Sequence, residues 1–270
     1  MSESSASHEA GSRSVLSGLR TLLRYHSDIG IENYPGKGVG DALFKWREDA
    51  AKPLAAPSGQ PTRPTAPGIG GKRGEASRAT VRLEDIAEEV RGCRACGLHL
   101  QRIYPVPGRG PDKMRLLLVG DWLMAGDGDG LPAGLVFGAE QEAMLARMFA
   151  AIGLPAEEVF ITNVVKCALP AGFVPEEVHI ERCRSYLLRQ IAAASPQAVC
   201  TMGPVAARAV LGPATTLLRA RGRVHTLQEH GGKPLAVIAT YHPTFLLQNA
   251  EMKQATWADL QLLARELGLR

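Results

Sequence analysis

Residues 115–121 read RLLLVGD, an apolar run that ends in a glycine and a carboxylate. Three further short runs have the same character: VFIT at 159–162, AVCT at 198–201 and LAVIA at 235–239. Runs of four or five mostly apolar residues are typical of strands that are buried on both faces of a parallel sheet. The sequence therefore predicts four such strands.

Helical patterns separate these runs. Glu142–Ile152 carries an apolar stripe and ends at Gly153, further helices are predicted from Pro175 and Pro204, and the last covers Trp257–Leu267. Alternating strands and helices predict an α/β fold, with three layers (α/β/α) around a central, mainly parallel four-stranded sheet. In such sheets a site lies beyond the carboxyl ends of the strands.

Composition and charge exclude some classes of protein. The 270 residues carry 31 basic and 27 acidic side chains, so the net charge of +4 excludes a histone-like tail protein. No apolar run approaches the roughly 20 residues that span a bilayer, and the first ten residues are polar. We therefore expect a cytoplasmic protein that does not bind membranes.

An N-terminal arm precedes the predicted domain, which covers residues 82–270. Residues 1–50 contain one short amphipathic helix, with apolar residues at helical spacing at Val15, Leu16, Leu19, Leu22 and Leu23. Residues 51–80 hold five Pro and five Gly in thirty positions, which predicts a disordered linker. The arm is therefore predicted to be largely disordered.

Four of the five cysteines have a spacing that suggests metal ligands. Cys93 and Cys96 form a CxxC pair, and Cys167 and Cys183 follow, separated by fifteen residues. Four thiolates suit either tetrahedral zinc or an iron–sulfur cluster, and the spacing leaves both open. Cys200 lies within an apolar run and is predicted to be a buried, hydrophobic residue that is not a metal ligand.

Polar residues follow the predicted strands. Asp121 ends the first run, Asn163 follows the second, and His242 follows the fourth and precedes Pro243. Phe137 lies between the first strand and the next helix. Because the carboxyl ends of parallel strands share one edge, these side chains are candidates for a single site.

Together these features resemble the uracil-DNA glycosylase superfamily, and most closely its iron–sulfur branch, family 4. The resemblance runs from about Ile86 to Leu267. Its most specific parts are the cysteine set, TNVVKC at 162–167 and YHP at 241–243. Weaker echoes are VFG at 136–138, RGR at 221–223 and W-x-D-L at 257–260.

The resemblance implies a 4Fe–4S cluster, structural in role, with the ligands Cys93, Cys96, Cys167 and Cys183. It also implies a pocket for a uracil nucleotide that has left the DNA stack. Phe137 would stack on the base, and Asn163 would accept from N3–H and donate to O4. His242 would donate toward O2 as the base leaves.

The resemblance further implies an apolar wedge, formed by Phe245 and Leu246, that fills the gap left in the duplex. Asp121, at the matching position, would position the attacking water. Asp127 and Asp129 are candidate substitutes only because they lie nearby in the sequence. The family usually has Gly-Glu-Ala-Pro-Gly after its first strand, whereas this chain has Gly120-Asp121-Trp122-Leu123-Met124.

Three hypotheses follow. The first is a DNA glycosylase of base excision repair that hydrolyses the N-glycosidic bond of uracil, in single- or double-stranded DNA, and leaves an abasic site. The second is a weak or inactive DNA-binding relative, suggested by the altered segment 120–124. The third sets the family aside and is a zinc-bearing α/β domain with an unknown partner. We expect a monomer near the nucleoid, with the arm as a contact for a repair or replication protein.

Overall fold

The computed structural model describes residues 81–124, 134–228 and 234–269. The N-terminal arm, with its predicted helix and linker, lies outside the described residues. Asp127 and Asp129 also lie outside them.

Seven strands are described, and five of them form the central sheet. In chain order they are β1 (Tyr104–Pro105), β2 (Leu116–Gly120), β3 (Val159–Asn163), β4 (Cys167–Ala168), β5 (Ala198–Met202), β6 (Val224–Gln228) and β7 (Pro234–Thr240). The central sheet has the order β3-β2-β5-β7-β6, and β1 pairs with β4 in a separate antiparallel pair. The first four strands of the central sheet are parallel, and β6 is antiparallel to β7.

The described helices cover both faces of this sheet. They are α1 (Leu83–Arg91), α2 (Ala139–Ala151), α3 (Glu177–Ala194), α4 (Pro204–Leu211), α5 (Leu217–Ala220), α6 (Pro243–Gln248) and α7 (Lys253–Glu266). Single turns of 3₁₀ helix occur at Gly97–Leu100, Ala156–Glu158 and Ala250–Met252. None of the described helices is long and apolar enough to cross a membrane.

Successive residues of the central strands point to opposite faces, which gives two cores. Leu117 and Val119 belong to the core that also contains Leu187 of α3 and Val210 of α4. Their neighbours Leu116 and Leu118 belong to the other core, which contains these residues of α2 and α7: Leu145, Phe149, Leu260 and Leu263. This alternation, which follows from the strand period of two, confirms the predicted three-layer α/β/α fold.

The count of four strands was one too few for the described sheet. The fifth strand, β6, has the sequence VHTLQ and lies at the sheet edge. Its His225 and Thr226 interrupt any apolar run, because an edge strand does not need two buried faces. Cys200, by contrast, is fully buried in β5, as predicted.

Candidate active site

The register of the parallel strands brings the predicted site residues to one edge of the sheet. Gly120, the last residue of β2, pairs with Asn163 on β3 and with Met202 on β5. Met202 in turn pairs with Thr240, the last residue of β7. The segments that follow these residues therefore start from the same edge.

Phe137 and His242 pack against each other at this edge. Phe137 is buried, and its ring stacks on the imidazole with 5.3 Å between centroids and 27° between planes. A Cβ atom at Gly120 would collide with both the Phe137 ring and the Asn163 side-chain oxygen. Glycine at this position therefore allows the strand backbone to approach both side chains closely.

Asn163 is completely buried, and its amide orientation is defined by one contact. Its Nδ2 donates to the backbone carbonyl of Val136, while its Oδ1 is buried without a hydrogen-bond partner among the described residues. A buried unsatisfied acceptor costs free energy unless a ligand donor reaches it. The site is thus suited to a ligand with an N–H group facing Asn163.

His242 is held in the neutral form with a defined donor. Its Nδ1 accepts from the backbone N–H of Thr244 at 3.3 Å, and this hydrogen bond caps the N-terminus of α6. Its Nε2 is buried without a hydrogen-bond partner among the described residues. Burial lowers the pKa of His242 to about 4, so the imidazole is neutral at pH 7. Because Nδ1 accepts, we assign the proton to Nε2, which therefore offers a donor to a ligand.

Asp121 contacts the N-terminus of α4. One carboxylate oxygen accepts from the backbone N–H of Ala206 at 2.7 Å, and the side chain is buried. A Cβ atom at Gly203 would collide with this carboxylate, so glycine is required there. The positive end of the helix dipole favours a carboxylate at this place. Its role toward water stays a prediction.

The two residues predicted to form a DNA wedge are buried in this structure. Phe245 is 8% exposed and its ring lies 5.0 Å from that of Tyr241, and Leu246 is 1% exposed. Leu247, the next residue of α6, is 38% exposed. The wedge stays a prediction, and it requires α6 or its side chains to move when DNA binds.

The four cysteines predicted to bind a cluster lie close enough for their charges to interact. Cys167 and Cys183 are buried, Cys93 and Cys96 are partly exposed, and all four are free thiols. Burial is the main cause that raises the pKa of Cys183 to about 11. The nearby Cys167 and Cys96 also raise this pKa, whereas a hydrogen bond from the backbone N–H of Lys166 opposes the rise.

Donor groups surround these sulfur atoms. The backbone N–H of Ala95 donates to Cys93 Sγ at 3.5 Å, and Arg102 donates to Cys167 Sγ at 3.9 Å. Within the described ranges, however, no group of three or more Cys, His, Asp or Glu side chains is arranged to hold a metal ion.

Lys166 is a buried residue whose position the sequence did not reveal. Its ammonium group donates at 2.6 Å to three oxygens: Thr162 Oγ1, the backbone carbonyl of Asn163 and Gln190 Oε1. Burial lowers its pKa to about 7. Since it is 1% exposed, Lys166 braces the backbone of Asn163 from inside the protein.

The RGR and W-x-D-L motifs meet in an ion pair between the partly buried Arg221 and the buried Asp259. Asp259 accepts from Arg221 at 2.7 Å, from the backbone N–H of Gly222 at 2.9 Å and from Thr240 Oγ1 at 2.7 Å. The Arg221 guanidinium also lies 4.5 Å from the centre of the Tyr241 ring. The pair therefore fixes the end of β7, from which His242 follows.

The fold and the site define the class of protein: a three-layer α/β domain with buried aromatic, amide and imidazole side chains at the carboxyl edge of its sheet. The family model of the Uracil DNA glycosylase superfamily matches residues 107–261. The chain belongs to this superfamily.

Curated relatives agree with this assignment. A type-4 uracil-DNA glycosylase of Archaeoglobus fulgidus is 34% identical over 190 residues, which are 69% of this chain and 94% of the relative. Type-4 enzymes of Sulfurisphaera tokodaii and Thermotoga maritima are each 31% identical, over 69% and 66% of this chain and 85% and 91% of theirs.

Proposed function

We propose that this chain is a uracil-DNA glycosylase, a hydrolase that cleaves the N-glycosidic bond of uracil in DNA and leaves an abasic site. The observation that carries the proposal is the pair of unused buried polar atoms, Asn163 Oδ1 and His242 Nε2. Uracil presents a donor, N3–H, beside an acceptor, O2, and so complements an acceptor and a donor. Cytosine presents an acceptor at N3 and would leave Asn163 Oδ1 unsatisfied.

The same atoms support a mechanism. The target nucleotide leaves the stack, the base packs against the face of Phe137, and the bond to C1′ of the sugar lengthens. Negative charge then develops on the base, and the Nε2–H group of neutral His242 stabilises it at O2. A donor aimed at such a charge is worth about 3 kcal/mol of barrier. Water, for which Asp121 is the proposed positioning group, adds to C1′, and the proton that it loses ends on the uracil anion, so the products are neutral uracil and an abasic sugar.

The alternative of an inactive relative rested on the altered segment after β2. The relatives bear the names of active enzymes, and no observation among the described residues favours inactivity. Asp121 retains a carboxylate in this segment and is buried at the same edge of the sheet as Asn163.

A 4Fe–4S cluster on Cys93, Cys96, Cys167 and Cys183 is part of the proposal. Four thiols from three segments, with N–H donors to three of the sulfurs, provide the donor set that such clusters use. A cluster is larger than one ion, so its ligands need not converge as tightly as those of zinc. When bound, it supplies structural bracing of the segments that carry it.

The surroundings of the enzyme are proposed as follows. The substrate is uracil-containing DNA, single- or double-stranded, and the enzyme acts as a monomer in the cytoplasm, at the nucleoid. The arm of residues 1–80 carries 11 basic and 8 acidic residues, hence +3 of the net charge of +4. This excess supports a role of the arm in holding the domain near DNA or a repair or replication protein.

One assay tests the activity. Purified protein is incubated with single- and double-stranded oligonucleotides that carry one uracil, and abasic sites are then cleaved with alkali. Strand scission that falls at least about 100-fold in His242→Ala and Asn163→Asp supports this pocket. No scission by the intact protein, despite measurable DNA binding, would refute the proposal.

Asp121→Asn separates the two roles of the carboxylate. The amide oxygen can still accept from Ala206, so the variant should fold, whereas a water-positioning carboxylate is lost and the rate should fall about 100-fold. Unchanged activity would limit Asp121 to capping α4.

Visible absorption, iron and zinc content test the cluster. A brown protein with about four iron atoms per chain is expected. A colourless protein with one zinc per chain would refute the cluster and indicate that these cysteines bind zinc.

A further inference from the structure

Glu142, in the first turn of α2, makes an unusual set of contacts with the segment that contains Phe137. One carboxylate oxygen accepts from two successive backbone N–H groups, those of Val136 at 2.7 Å and Phe137 at 3.2 Å. The other oxygen accepts from the Arg109 guanidinium. The Glu142 side chain is 12% exposed, whereas that of Arg109 is 55% exposed. The carboxylate thus faces segment 136–137, and the exposed Arg109 neutralises its charge from the solvent side.

These contacts continue to the residue that reads the base. The carbonyl of Val136, whose N–H group is bound by Glu142, accepts from Asn163 Nδ2. An amide side chain has two ends of nearly equal shape, so its orientation is decided by the groups around it. A fixed carbonyl at Val136 selects Nδ2 for this contact and leaves Oδ1 for the ligand.

The neighbouring residue of α2 connects to the segment that contains His242. Gln141 donates through Nε2 to Thr244 Oγ1 at 3.3 Å. The backbone N–H of Thr244 is the group that fixes His242 Nδ1. Two successive side chains of α2 therefore contact the segments that hold Phe137, Asn163 and His242.

We propose that Glu142 is a positioning residue for uracil excision, which holds segment 136–137 so that Asn163 presents its oxygen to the base. It does not touch the substrate and acts through the Val136 peptide. The inference deepens the proposed function and rests on the roles proposed there for Asn163 and Phe137.

Glu142→Met is the first test variant, because methionine is similar in length and favours helix but cannot accept the two N–H bonds. Glu142→Gln retains an acceptor oxygen and loses only the charge. Glu140→Met is the matched control, since Glu140 is an exposed glutamate of the same helix.

With a uracil oligonucleotide, Glu142→Met should lower kcat about 10- to 100-fold, because a pocket displaced by a fraction of an ångström loses transition-state contacts. KM should change less than about threefold, since DNA affinity comes mainly from phosphate contacts. Glu142→Gln should restore kcat to within about fivefold of wild type, and Glu140→Met should match wild type. A Glu142→Met variant that is folded and has wild-type kcat would overturn the inference.

A spectroscopic measurement separates this inference from the activity itself. The side-chain amide of Asn163, assigned by its loss in Asn163→Asp, should exchange slowly with solvent in the wild type and at least about tenfold faster in Glu142→Met. Backbone amides of Val136 and Phe137 should be protected in the wild type. If these amides exchange freely in the folded wild-type protein, the inference fails even where uracil is excised. If they are protected but uracil is not excised, the proposed function fails instead.

Discussion

Gly120→Ala is the substitution whose effect the structure defines most directly. The added Cβ atom would lie 2.5 Å from the Phe137 ring, far inside van der Waals contact, and would collide with Asn163 Oδ1. Both side chains are buried, at 3% and 0% exposure, so neither can turn away without disturbing its neighbours. The methyl group must therefore displace the two residues proposed to hold the base.

Two magnitudes follow from this geometry. Inserting a methyl group into a packed site costs about 1–3 kcal/mol of unfolding free energy, which a cooperative domain tolerates. A shift of about 1 Å at the reacting pocket costs on the order of 100-fold in rate. The variant should therefore stay folded, with a melting temperature lower by a few degrees, and lose most of its activity.

The assay is single-turnover excision of uracil from an oligonucleotide, together with thermal unfolding. Gly97→Ala serves as the control, because a Cβ there would meet no atom within 4 Å. A folded Gly120→Ala protein that retains activity within about threefold of Gly97→Ala would refute the reasoning that this close approach shapes the pocket.

Further predictions concern two buried ionisable groups, His242 and Asp259. The pKa of His242 is lowered from 6.5 to about 4, so the unfolded chain binds a proton at this site before the folded protein does. The free energy of unfolding therefore falls as pH falls from about 6.5 toward 4, by roughly 2–3 kcal/mol at pH 4.5. Urea unfolding at pH 7 and at pH 4.5 should show a smaller loss in His242→Gln than in the wild type. Equal losses in the two proteins would contradict this prediction. Asp259→Asn leaves Arg221, whose side chain is only 18% exposed, without its counter-charge and should cost about 3 kcal/mol in urea unfolding. Glu266→Gln, in the same helix and exposed, is the control. A loss below about 1 kcal/mol would argue against a structural role for the pair.

The sheet could be predicted because its central strands are buried on both faces and must be apolar along their length. Helix α4 could be predicted equally well, since Pro204 and Gly212 mark its two ends. Strand β6 could not be predicted, because an edge strand is selected by its pairing with β7 and not by its own composition.

The positions of the site residues were accessible from sequence for a similar reason. Asn163 ends one buried strand and His242 follows another, and parallel pairing brings such positions to one edge. Their chemistry as donors and acceptors was not accessible, because it depends on contacts with residues distant in the chain. The Val136 carbonyl, 27 positions before Asn163, decides which end of its amide faces the ligand.

The sequence by itself determined the layer architecture, the cysteine set and which side chains stand at the sheet edge, since these follow from local period and spacing. Tertiary structure alone decided that Lys166 lies inside, that Phe245 packs on Tyr241 and that Glu142 holds the pocket segment. The physical reason is that burial and hydrogen bonding join residues far apart in the chain, and a one-dimensional pattern does not specify which partners meet.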